Sequence, residues 1–174
     1  NHMYPYNNVN DSLTIPEPQT IGETNRVMSL RDETKYMSQA DASDSSRINL
    51  TATAEEISNI IKKAKTDPYP LLDALEDLND IPEAYNLVSI YSSLSDQTIE
   101  DALREFSGKG FSYFKPILID LAVETLNPIS REMRNLLKHT NEIDKILKNG
   151  EQKAREIEEP ILKDVKNRGG YINL

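Results

Sequence analysis

The sequence predicts a mainly α-helical fold, a helical bundle behind a short extended and loop segment. Three observations predict it. From residue 53 onward, apolar residues recur at spacings of three and four, the period of one helix face. Helix starts and stops punctuate that stretch, from Thr53 with Glu56 through Pro82 to Gly169-Gly170. After residue 52 no convincing alternation of apolar and polar residues appears, as a half-buried strand would require.

The elements follow in chain order. Asn1-His2-Met3 looks like a cloning remnant and is set aside. Residues 4–25 hold Asn, Ser, Thr and three prolines with little periodicity, and read as extended chain or loop. "RVMSL" (26–30) is a short mixed run with the character of a strand. Residues 31–47 are polar and aperiodic, a long surface loop of the kind that is usually functional or disordered. Thr53 and Glu56 form a capping-box pattern that opens a helix carrying Ile57, Ile60, Ile61 and Ala64. That helix should end before Asp67-Pro68, because a residue preceding proline avoids the α region. A proline-bounded connection leads to Pro82, which suits the first turn of a helix bearing Ala84, Leu87, Val88 and Tyr91. Asp96 is positioned to cap a helix holding Ile99, Leu103 and Phe106, and "SGKG" (107–110) breaks it. A longer helix then aligns Phe114, Ile117, Leu118, Leu121, Ala122 and Thr125, with Pro116 near its start. Pro128 is read as opening the next helix, with Met133, Leu136 and Leu137. Thr140 is read as capping a short helix with Ile143, Ile146 and Leu147, closed by Asn149-Gly150. The last helix carries Ala154, Ile157, Ile161 and Val165, is expected to kink at Pro160, and stops at Gly169-Gly170. The simplest account of every one of these stripes is the core of a bundle, each helix burying one face.

Composition narrows the function. The 174 residues are 37% apolar and 28% charged, enough for one domain or a domain with an appendage. There is no cysteine, hence no disulfide and no thiolate metal site, which fits a reducing compartment. Leaving aside His2, His139 stands alone and makes no metal cluster. No apolar run approaches the length of a membrane span. The net charge of −9 is uneven: residues 1–102 carry about −11, whereas residues 103–174 carry about +2. An acidic chain is a poor general polyanion binder, so nucleic acid, if bound, should meet the C-terminal part, and DNA is not an expected partner.

One stretch is more specific. "RVMSLRDETKYMSQADASDSSRINLTATAEEISNIIKKAKTDPYPL" resembles the signature region of bacterial and organellar tryptophanyl-tRNA synthetases. The similarity continues colinearly through "PEAYNLVSIYSSLSDQTIEDALREFSGKGFSYFKPILIDLAVETLNPISREM" and "EIDKILKNGEQKAREIEEPILKDVKNRGGYI", roughly residues 13 to 172. It implies the C-terminal half of such an enzyme: residues 4–52 as the tail of a Rossmann catalytic domain, and 53–174 as the helical domain that reads the tRNA anticodon. The family's His-Ile-Gly-His-like motif and most of its tryptophan pocket belong to a first half that this sequence does not contain.

The resemblance also marks a departure. The family's loop, Lys-Met-Ser-Lys-Ser, falls on Tyr36, Met37, Ser38, Gln39 and Ala40, between Lys35 and Asp41. Met37 and Ser38 match. Tyr36 and Gln39 stand where lysines neutralise the phosphates of ATP during amino-acid activation, and Ala40 replaces the second serine. Lys35 lies just outside. The resemblance further puts Val27 and Met37 at the adenine, through backbone contacts. ATP with Mg is the family's cofactor, and none is expected for this chain alone. The chain is accordingly expected not to activate tryptophan by itself.

Three roles fit these residues. One is a non-catalytic module that binds tRNA(Trp) through Arg131, Arg134, Lys138, Lys145, Lys148, Lys153 and Arg155, each of which has a solvated helix charge as its plainer explanation. A second is a fragment of an active ATP-dependent tryptophan–tRNA ligase, whose catalytic half lies elsewhere, including on a separate chain. A third is a synthetase-derived protein-interaction module. All three place the chain in the cytoplasm or an organellar matrix, away from the membrane.

Overall fold

The computed structural model describes residues 16–19, 26–66, 68, 70–71, 75–78 and 80–170. Its helices are α1 (Ala54–Lys63), α2 (Leu75–Leu78), α3 (Pro82–Ser95), α4 (Ile99–Phe106), α5 (Phe111–Lys138) and α6 (Thr140–Arg168). The fold is mainly helical, as the periodicity predicts. Among the described residues the run 26–30 is not a strand: its only pairing of that kind is an isolated antiparallel bridge between Met28 and Tyr36. The other side of Met28 is engaged by a side chain. Asn86 of α3 accepts from the Met28 amide and donates to its carbonyl, both at 3.0 Å, and so takes the place of a neighbouring strand.

The chain divides into two compact units, one of them Thr20–Asn135 and the other containing the residues from Leu136 onward. In the first, a single core joins Leu30 and Ala52 to α1 through the first half of α5. α1 opens with the predicted capping box: Glu56 Oε2 accepts from the Thr53 amide at 2.7 Å, and Thr53 Oγ1 accepts from the Glu56 amide at 3.3 Å. Pro82 occupies the first turn of α3, where its missing N–H costs nothing. α3 and α4 pack against each other. Their shared seam meets α5 at an aromatic cluster in which Phe114 lies 4.9 Å from Phe106 and 5.7 Å from Tyr91, edge to face in both cases. The "SGKG" break is a real turn. Gly108 takes a positive φ of 68°, its amide donates to Leu71 O, and the Leu71 amide donates to Lys109 O.

Four boundaries differ from the sequence reading. Asp96 does not cap α4 but ends α3 in the left-handed region; Thr98 is the cap, accepting from the Asp101 amide at 3.1 Å. Both residues are good cap formers, and in the three-residue connection 96–98 each takes one end: Asp96 closes α3 and Thr98 opens α4. Thr140 is the first residue of α6, after His139. Pro128 lies inside α5, and α6 runs on through Asn149-Gly150 and Pro160. A proline removes one backbone bond, at a cost of about 3 kcal/mol in a helix interior. In α5 the turns on either side remain bonded, and Ser130, fully buried just beyond, donates to Leu126 O at 2.9 Å.

The largest departure concerns burial. α6 buries no residue. Ile146, Leu147, Ile157 and Ile161 are 52–70% exposed, and in the last turns of α5 Leu137 is 55% and Met133 39% exposed. These residues do not form the bundle core that their spacing predicts. Periodicity specifies that a face is apolar, not that another element of the chain covers it.

Candidate functional site

The candidate site is the loop 35–41 with the segments that hold it. Met37 N donates to Val27 O at 3.0 Å, and Ser29 N donates to Lys35 O at 2.9 Å, so the loop leaves and rejoins the 26–30 segment as a narrow ribbon. Val27 and Met37 are thus brought together, and Met37 also packs against the core. The Met37 amide is already taken by Val27, so an adenine placed there would have to use the other backbone groups or the second lone pair of that carbonyl.

Beyond Met37 the chain turns on its own side chains. Ser38 Oγ accepts from the Ala40 amide at 3.1 Å, and Asp41 Oδ1 accepts from the Ser43 amide at 2.8 Å. Arg47 fastens this turn. Its Nη1 donates to Asp41 O at 3.0 Å and more weakly to Ser38 O at 3.4 Å; its Nη2 pairs with Asp44 at 2.6 Å, and its Nε donates to Asn49 Oδ1 at 2.9 Å. With its side chain only 14% exposed, Arg47 serves the loop's geometry and is not free to meet a ligand. Gln39 and Ala40 sit exposed at the tip.

The Lys35 side chain turns back to Asp32, away from residues 36–40. It pairs with Asp32 at 2.8 Å, which raises the lysine's pKa, while the hydrogen bonds from Lys35 and then Thr34 hold the Asp32 carboxyl down at about 2. Tyr36 is 56% exposed. It is not alone: Arg26 Nη1 donates to the Tyr36 hydroxyl at 2.9 Å, and the guanidinium carbon lies 5.4 Å from the ring centroid. The frame is tied to the helices by Lys65, which bridges Glu33 at 2.6 Å and Glu83 of α3 at 2.7 Å; the two carboxylates raise its pKa.

The basic candidates separate. Arg134, half-buried in the first unit, donates to Thr51 O at 2.8 Å and Ala52 O at 2.9 Å and braces the entry to α1. Arg131 is exposed nearby in sequence. Lys138, Lys145, Lys148, Lys153 and Arg155 belong to the other unit and are all exposed. Lys145 pairs with Glu142 at 2.8 Å, and Arg155 with Glu151 at 2.9 Å. On α6, Lys145, Lys148 and Arg155 fall on one side at 3.6 residues per turn, and Lys153 does not.

The first unit also carries an open cavity of about 550 Å³ beside Lys62, Phe111 and Lys115, and no loop residue lines it. Lys115 Nζ donates there to Ala64 O at 2.6 Å and Lys62 O at 3.1 Å, satisfying carbonyls at the end of α1; burial lowers its pKa. Sequence reasoning missed the parts played by Arg26, Arg47 and Asn86. A buried asparagine within an apolar helix face was the one available signal, since such a group needs partners.

The family described as tRNA synthetases class I (W and Y) matches residues 6–127, so the chain belongs to that class of synthetase. Over 156 residues it is 50% identical to the tryptophan–tRNA ligase of Agrobacterium fabrum, an alignment that covers 90% of this chain and 44% of that protein. The Caulobacter vibrioides tryptophan–tRNA ligase is 47% identical over 157 residues, with 90% and 46% covered. The tryptophanyl-tRNA synthetase of Mycoplasma pneumoniae shares the fold at a TM-score of 0.69 and 23% identity, over 86% of this chain and 46% of that one. Within the class, the chain is a member of the tryptophanyl-tRNA synthetase family, and it spans about half the length of the curated relatives it matches.

Proposed function

We propose that this chain is the anticodon-reading half of a tryptophanyl-tRNA synthetase, and that it binds tRNA(Trp) without activating tryptophan by itself. The observation that carries the reading is the extent of the match: 90% of the chain aligns to less than half of each tryptophan–tRNA ligase. The reading takes residues 4–52 as the tail of the catalytic domain and 53–174 as the tRNA-reading domain. Activation would draw on ATP and on a further half, in the same protein or a separate chain, in the cytoplasm or an organellar matrix. The loop supports the absence of activation here. Tyr36 and Gln39 replace its two lysines, and Lys35 is committed to Asp32.

Lys145, Lys148 and Arg155 supply the phosphate contacts in this reading, with Lys138 and Arg131 as further contacts. Arg134 is reassigned to bracing α1. The test is binding of tRNA(Trp) and a non-cognate tRNA across a salt series. Preference for tRNA(Trp), with a salt slope that falls by about one for each of the three residues changed to glutamine, is the expected result. Equal weak binding of both tRNAs, untouched by the triple change, would leave ancestry alone and move the search to protein partners.

A further inference from the structure

By the resemblance, Tyr36 and Gln39 stand where the family's loop has lysines, and the structure sets a cation, Arg26, against Tyr36. The guanidinium of Arg26 lies against the Tyr36 ring while donating to its hydroxyl. The ring face is electron-rich, and the hydroxyl accepts one N–H of the fork, so the phenol acts as a rest that holds the guanidinium beside the loop. Arg26 is exposed and makes no ion pair among the described residues, so its charge is not neutralised there. The other cations around the loop are engaged differently. Lys35 is paired with Asp32, Arg47 is largely covered and bound to Asp44 and to loop carbonyls, and Arg31 donates to Ser43 at 2.8 Å on the far arm of the loop. Arg26 also precedes Val27, whose carbonyl fixes Met37, so the cation is anchored by its own backbone next to the ribbon that carries the loop.

We propose that Arg26, held by Tyr36, is a polyphosphate-binding residue that supplies at position 36 the positive charge absent from the loop's own sequence. The ligand class is the polyphosphate of a nucleotide, met by a planar fork of donors suited to phosphate oxygens. The inference rests on the synthetase reading of the loop but not on tRNA binding.

The experiment titrates inorganic pyrophosphate into the full 174-residue chain at low salt, followed by 31P NMR and calorimetry, with AMP as the control that lacks the terminal phosphates. The unaltered chain should bind pyrophosphate more tightly than AMP, with an affinity that falls as salt rises. Arg26→Gln should weaken it about tenfold, the loss expected for one charge-assisted hydrogen-bonded contact. Arg26→Lys should weaken it less, and Tyr36→Phe, which keeps the ring and removes the acceptor, about twofold. Tyr36→Lys should bind at least as tightly as the original. Arg104→Gln, at a cation already paired with Asp101 on α4, should change nothing. Pyrophosphate binding unaffected by Arg26→Gln, or no binding at about 10 mM, overturns the proposal. Loss of the tRNA preference with Arg26-dependent pyrophosphate binding intact would instead remove the anticodon reading and leave this one standing.

Discussion

Phe114 and Ile157 hold the same kind of position in the sequence, an apolar residue on a stripe of helical period. Phe114 is fully buried among Tyr91, Phe106 and Phe111, whereas Ile157 is 70% exposed on α6. The first stripe is met from several directions: α4 delivers Phe106, α3 delivers Tyr91, and the glycine turn at 108 brings α5 back against both. The α6 stripe is interrupted in its middle by Gly150 and Ala154, and α6 buries none of it. A period of 3.6 states which residues share a face; only long-range contacts state whether that face is a core.

The sharpest way to break this comparison is truncation at both positions. Phe114→Ala should lower unfolding free energy by about 3–5 kcal/mol in urea denaturation. Ile157→Ala should stay within about 0.5 kcal/mol. Equal losses would mean that α6 buries its stripe in solution. Next comes the brace between the loop frame and α3. Asn86→Leu keeps the branched heavy-atom outline but removes both bonds to Met28 and leaves two backbone groups facing an apolar side chain. It should cost about 2 kcal/mol, with faster amide exchange at Met28, and an unchanged melting temperature would refute the role given to that side chain. Thr53→Ala should cost about 1 kcal/mol, since it removes half of the capping box; Thr53→Ser should recover most of it.

The smallest effect is electrostatic. The Asp32 carboxyl, at 3.8 when unperturbed, titrates at about 2. A depressed carboxylate contributes its stabilisation above the unfolded value, and the contribution fades as pH falls from about 4 through 2. The carboxyl resonance of Asp32 should therefore show a midpoint near 2, and Lys35→Met should move it up toward 3.8. A midpoint that ignores Lys35 would disconnect the pair.

Much of the fold was legible because its signals are local. The Thr53–Glu56 box, Pro82 at the start of α3 and the break at 107–110 each depend on a few neighbouring residues, and each appears where expected. Signals that depend on distant partners misled. "RVMSL" has strand composition, but the pairing edge is met by one asparagine 58 residues away. Pro128 and Asn149-Gly150 read as boundaries, yet the helices continue because one missing bond or one flexible residue is outweighed by the turns on both sides. The site divides the same way. That Tyr36 and Gln39 stand where the resemblance leads one to expect lysines was legible by comparing the sequence with the family's loop pattern. That Lys35 faces Asp32, that Arg47 is a clamp, and that Arg26 rests on Tyr36 are facts of side-chain direction, which linear spacing does not carry. Arg134 was an exposed helix charge by pattern and is a brace by contact.

The most direct measurement of the central claim uses tRNA(Trp) and a copy of it altered only in the three anticodon bases, each titrated against this chain at one ionic strength. Phosphate contacts are the same in both, so any difference reports base reading. Weaker binding of the altered tRNA by about tenfold or more is the predicted result. Identical affinities would contradict the anticodon-reading role, whatever the strength of binding.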